Sequence, residues 1–96
     1  MLSGDYNKLI GKQNAIFGDA NNIFGEINAV SGSFNQLLGK ENLVSGNSNL
    51  LVGKSNVLQG SGNTVNGSSN AVNGSLNALM GSNNVLNGQK NSIFGN

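Results

Sequence analysis

The hydrophobic pattern of this chain has a period of seven. Aliphatic residues stand at Leu9, Ile16, Ile23, Val30, Leu37, Val44, Leu51, Leu58, Val65, Val72, Leu79, Leu86 and Ile93, each with Asn two residues before it and Gly five before it. Thirteen heptads of the form G-x-x-N-x-(L/I/V)-x therefore run without a gap from Gly4 to Phe94. A seven-residue period is also that of a coiled coil. Gly costs about 1 kcal/mol in a helix interior and Asn is a poor helix former, so thirteen of each exclude that reading. The spacing of two between Asn and the aliphatic puts both side chains on one face of an extended strand. That face should point inward. Gly is then expected at the turn, where positive φ or a close backbone approach is needed.

Seven extended residues span at most about 25 Å, too little to circle an interior and return, so two or three heptads make one coil. The last heptad position separates the two cases. In odd heptads it reads Ile10, Phe24, Leu38, Val52, Asn66, Met80, Phe94, and in even ones Phe17, Ser31, Ser45, Gln59, Asn73, Asn87. Six of seven are apolar against one of six, and grouping by three gives no such contrast. The expected fold is all-β: a β-solenoid, a two-sided β-roll of 14 residues per coil and about seven coils at about 4.8 Å spacing, spanning 1–96 as one domain. A three-sided coil is the competing arrangement. In the odd heptads the inward amides are Asn7, Asn21, Asn35, Asn49, Asn63, Asn77 and Asn91, one coil apart. They should stack as an amide ladder.

Residues flanking the inward aliphatic face outward. The odd face then shows a column of Ile10, Phe24, Leu38, Val52, Met80 and Phe94, with Tyr6, Phe34, Leu50 and Leu76 on the same side. Several hundred Å2 of contiguous apolar surface is the size that marks an interaction site, so these ten residues are the expected lateral interface. The even face, with Ala15, Ala29, Leu43, Val57, Ala71 and Val85 beside mostly Ser, Gln and Asn, is flatter and suited to water. Leu2 falls at the inward aliphatic position and Asn96 follows a repeat Gly, so no capping segment is expected at either end. Open coils present unpaired strand edges. Head-to-tail stacking across them would build a filament.

Composition narrows the chemistry. The chain has no Cys, His, Trp, Arg or Pro, and its charged residues, 9% of the total, nearly cancel at +1. Disulfides, thiol chemistry and imidazole metal sites are excluded, and neither a nucleic-acid footprint nor a polybasic membrane patch is expected. No stretch approaches the roughly 20 apolar residues of a membrane helix, and Met1–Ile10 lacks a signal-peptide core. The only carboxylates are Asp5, Asp19, Glu26 and Glu41, without a nucleophile–base pair, so no enzyme, cofactor or metal site is expected. Lys12, Glu26 and Lys40 fall one coil apart with alternating sign, as in a surface charge ladder.

The heptad, as in Gly60-Ser61-Gly62-Asn63-Thr64-Val65-Asn66, resembles the repeats of ryegrass-type ice recrystallisation inhibition (antifreeze) proteins over the whole chain. The resemblance implies a β-roll with inward Asn and Val and a flat ice-binding face lined by Thr and Ser. Where that family presents Thr beside the inward aliphatic, this chain has Thr64 and otherwise Ala, Leu, Val, Lys, Asn, Gln and Ser. The Gly-x-x-Asn unit is also similar to part of the curli-type amyloid repeat. Taken together, the residues predict a non-enzymatic structural solenoid, extracellular or at a cell surface, that self-associates end to end and laterally into a fibre or layer. The alternative is an ice-binding protein using the even face, with the ice surface as its partner.

Overall fold

The computed structural model describes residues 2–95. Met1, Asn96 and the side chain of Leu2 lie outside it, and with them the expected inward place of Leu2 and the chain's last residue. In chain order the strands are β1 (Leu2–Ser3), β2 (Lys8–Lys12), β3 (Ala15–Phe17), β4 (Asn22–Glu26), β5 (Ala29–Ser31), β6 (Gln36–Lys40) and β7 (Leu43–Asn47). They continue as β8 (Leu50–Lys54), β9 (Val57–Ser61), β10 (Thr64–Ser68), β11 (Ala71–Ser75), β12 (Ala78–Ser82), β13 (Val85–Gln89) and β14 (Ser92–Gly95). Odd-numbered strands form one seven-stranded parallel sheet and even-numbered strands the other. The first, sheet A, carries the even heptads. Sheet B carries the odd ones. Every pairing steps by one 14-residue coil, as in Leu37↔Leu51 and Val44↔Leu58. The fold is the two-sided β-roll read from the last heptad position.

The interior is one aliphatic residue thick. Ile16, Ile23, Val30, Leu37, Val44, Leu51, Leu58, Val65, Val72, Leu79 and Leu86 form a single buried cluster, with Leu9 and Ile93 packed against it. Each strand from β2 to β14 contributes one such residue and turns its neighbours outward, the alternation that the pleat imposes. The molecule measures 33 × 21 × 12 Å. Packed sheets lie about 10 Å apart, which leaves little thickness for twist, so both faces are nearly flat. Flat parallel sheets need a side-chain ladder to hold them against their natural twist.

That ladder is asparagine. Each inward Asn from Asn7 to Asn84 reaches the coil on its C-terminal side. Asn35 Nδ2 donates to Gly46 O at 2.8 Å while its Oδ1 accepts from Asn49 N at 3.0 Å and Asn49 Nδ2 at 3.1 Å. One side chain thus ties the carbonyl entering the next corner to the amide leaving it. Corner backbone closes the rest, as where Ser48 N donates to Ser33 O at 2.9 Å and Gln36 N to Asn49 O at 2.8 Å. No buried side-chain N or O among the described residues lacks a partner. Asn ladders run up both sides of the roll, so the odd set has an even counterpart from Asn14 through Asn28, Asn42, Asn56 and Asn70 to Asn84.

The glycine column meets the close backbone approach expected of it, but within the strands rather than at the turn. Gly53 lies within β8 at φ 135°, and a Cβ there would sit 1.7 Å from Gly67 O of the next coil. Only hydrogen fits between stacked backbones. The left-handed corner residue is the one before each Asn, with φ of 57–61° in twelve non-glycine cases that include Ile27, Phe34 and Leu76. Such residues are strained there. The bonded corner amides on either side, such as Phe34 N to Asp19 O at 3.0 Å, hold them in place.

Candidate functional site

The aliphatic row and the asparagines fill the interior, so the two faces and the corners are the surfaces that can meet a partner. From Ala29 onward sheet A carries three outward residues per coil in the order apolar, polar, polar: Ala29, Ser31 and Ser33, then Leu43, Ser45 and Asn47, then Val57, Gln59 and Ser61, then Ala71, Asn73 and Ser75, whereas the coil before shows Ala15, exposed Phe17 and the carboxylate Asp19. The registers Leu43↔Val57↔Ala71↔Val85 and Ser45↔Gln59↔Asn73↔Asn87 stack these into straight columns. No strand of sheet A contains an ionisable side chain. Asp5 and Asp19 lie just past β1 and β3, where Asp5 N donates to Asp19 Oδ1 at 2.8 Å. Ser33 N makes the equivalent bond to Asn47 Oδ1 at 2.9 Å.

Sheet B is different in kind. Ile10, Phe24, Leu38, Val52, Met80 and Phe94 share one register column, interrupted by Asn66. Val52 is half-buried, and the others expose between 43% of their surface, at Ile10, and 75%, at Phe94. Leu50 lies on the same sheet two residues before Val52, in register with Gln36 and Thr64. Tyr6, Phe34 and Leu76 do not lie on the sheet. Their positive φ places them on the corner that borders its edge, with Ala20, Ser48, Gly62 and Lys90.

Beside the apolar column runs a shallow groove of about 740 Å3, floored by Gly25, Gly39, Gly53 and Gly67, with Phe24, Leu38 and Val52 on one wall and Glu26, Lys40 and Lys54 on the other. Sequence reasoning missed it, although a column of glycines next to a column of bulky residues is a groove by construction. Lys8, Lys12, Glu26, Lys40 and Lys54 all belong to β2–β8, whereas β10, β12 and β14 carry no charge. Lys12, Glu26 and Lys40 are in register. Sequence reasoning also passed over the exposure of Phe17 on sheet A and Ile27 at the second corner.

The odd-heptad amides lie in the ladder as expected: Asn21, Asn35, Asn49, Asn63 and Asn77 are buried, and Asn7 and Asn91 are half-buried. Among the described residues there is no group of three or more His, Cys, Asp or Glu placed to hold a metal ion. Nor, among the described residues, is any helix long and apolar enough to cross a membrane.

The structure is thus a two-sheet parallel roll with inward asparagines, and the strands of one of its sheets hold no ionisable side chain. A family model, the grass antifreeze beta roll, matches residues 2–95, and the chain belongs to that family. It is an ice-binding β-roll family, not an enzyme class. No curated protein matches the chain.

Proposed function

We propose that this chain binds ice through sheet A and slows ice recrystallisation. The observation that carries this reading is a flat parallel sheet whose strands hold no ionisable side chain. Charged groups keep water in their own hydration geometry, which does not match an ice lattice. An apolar row beside a hydroxyl and amide row instead leaves water free to order between coils, repeating at about 4.8 Å along the stack. Membership of the grass antifreeze beta roll family supports the reading. Thr64, the only threonine, lies on sheet B, so the hydroxyls of sheet A come from serines such as Ser31, Ser45, Ser61 and Ser75. Serine lacks the methyl that fixes a threonine hydroxyl on the pleat. The expected activity is therefore weak recrystallisation inhibition without strongly faceted crystals. An extracellular or cell-surface location, where ice first forms, fits this role.

Grain growth in an annealed thin ice film tests it. The parent at micromolar concentration should slow growth relative to buffer, and Val57→Lys with Ala71→Lys, which charges the centre of sheet A, should not. No slowing by the parent, or equal slowing by the variant, would contradict the assignment.

A second reading, a self-associating structural role in a fibre or layer, is favoured by one observation: the apolar column Ile10, Phe24, Leu38, Val52, Met80 and Phe94 in register on sheet B. The C-terminal polarity of the Asn ladder would let stacked copies continue it end to end. No nucleic acid or membrane enters either reading.

A further inference from the structure

The geometry points to sheet B as the interface of a closed antiparallel pair of this chain, leaving a sheet A facing outward on each side. This deepens the second reading above and is independent of the first. Three observations carry it: the distribution of charge, the distribution of bulk at the bordering corner, and area.

All the charge of sheet B lies in β2–β8 and none in β10, β12 or β14. Two copies packed with their stacks parallel would place Lys8 and Lys12 of one at the level of Lys8 and Lys12 of the other. Antiparallel packing about the fourth coil instead brings Lys40 level with Ser68, Glu26 with Ser82 and Lys8 with Ser92. Like charges across an interface are strongly disfavoured. Lys54 alone falls level with its own copy, in the outer column past the glycines, where a flexible stem carries the ammonium into water.

The corner that borders sheet B carries, in order along the stack, Tyr6, Ala20, Phe34, Ser48, Gly62, Leu76 and Lys90. Antiparallel packing sets exposed Phe34 level with Gly62 and exposed Leu76 level with Ala20, Ser48 with itself, and Tyr6 with Lys90. Phe34 and Leu76 thus each meet a small residue, and the level of Tyr6 and Lys90 is an attractive aromatic–cation pair. On the sheet itself the same operation places Leu50 and Val52 against their own copies, Phe24 against Met80 and Ile10 against Phe94. The apolar residues of fourth-coil strand β8 thus form the centre, flanked by the mixed level Leu38–Asn66 and then by apolar levels, with the charged and hydroxyl residues of the outer columns at the rim. The contact is isologous and closes at two copies.

The face is 33 × 21 Å, on the order of 700 Å2 per copy or about 1,400 Å2 in total, within the roughly 1,200–2,000 Å2 of specific, stable pairs.

Sedimentation equilibrium and spin-label distances on the full chain test the pairing. The parent should sediment at twice 9.8 kDa, and Val52→Lys, which places two like charges at the central level while sparing inward Leu51, should sediment at half that mass. Because the chain has no Cys, labels can be placed singly through Ser48→Cys or Lys90→Cys, both at exposed corners. In the antiparallel pair the two copies of residue 48 are level, whereas those of residue 90 are offset along the stack by six coil spacings, about 29 Å. The distance from the second label should be longer by most of that offset. A parent of 9.8 kDa at every concentration, a Val52→Lys variant of parental mass, or equal distances from the two labels would each overturn the proposal. Neither readout involves ice, so a monomeric result would remove the pairing and leave the sheet A assignment standing.

Discussion

Truncating one inward asparagine should unseat two backbone groups at once. In Asn49→Ala the lost side chain is the one whose Nδ2 donates to Gly60 O at 2.9 Å and whose Oδ1 accepts from Asn63 N at 3.0 Å. Asn35 Oδ1 keeps its bond from Asn49 N at 3.0 Å, so the damage falls on the coil above. Gly60 O and Asn63 N–H are left facing a small cavity. An unsatisfied buried polar group costs about 1–3 kcal/mol, so the pair should cost about 2 to 5 kcal/mol, with water entering the cavity favouring the lower end. For a domain of this size that is a fall in melting temperature of roughly 10 to 30 °C. Ser33→Ala, at a partly exposed position past β5, should stay within about 0.5 kcal/mol. Thermal unfolding by circular dichroism measures both, and amide hydrogen exchange at Asn63 should accelerate before that of distant coils, since each coil of a solenoid leans on its neighbours. Equal melting temperatures for Asn49→Ala and Ser33→Ala would refute the ladder's role in stability.

Gly53→Ala should prevent the roll from forming at that coil, because its Cβ would meet Gly67 O at 1.7 Å, whereas Gly62→Asn, at a corner with φ 64°, should cost under about 1 kcal/mol because Asn tolerates left-handed backbone; far-ultraviolet circular dichroism and melting of the two variants separate these outcomes. Phe24→Lys with Leu38→Lys should weaken association while keeping β-sheet dichroism and ice activity, since inward Ile23 and Leu37 are untouched; sedimentation and grain growth measured on the same sample check it, and loss of ice activity would move the ice face to sheet B.

The heptad made most of this fold legible. Asn and aliphatic two residues apart can share a buried face only in an extended strand, and the apolar bias of the odd heptads sets the coil at 14 residues. The corners were less legible. Alternation by two assumes extended backbone through residue 6 to residue 8, but Tyr6 has φ 61°, so Tyr6, and with it Phe34 and Leu76, leaves the sheet for its edge. Glycine misleads for a related reason. Its spacing marks where consecutive coils come into backbone contact, as at Gly53 beneath Gly67, and that contact exists only after coiling. The proposed ice-binding side is hardest to read, because the threonine column expected from the family resemblance is missing. What distinguishes sheet A is that its strands hold no ionisable side chain, the carboxylates Asp5 and Asp19 lying past β1 and β3 at one end of the stack, and this is visible only once residues 14 apart are stacked.

The central claim, that sheet A recognises ice, is tested most directly by growing a single ice crystal from a solution of fluorescently labelled protein. The parent and the Phe24→Lys, Leu38→Lys variant should both be taken up into the ice, while the Val57→Lys, Ala71→Lys variant should be excluded into the liquid. Exclusion of the parent, or uptake of the sheet A variant at the parental level, would contradict the account.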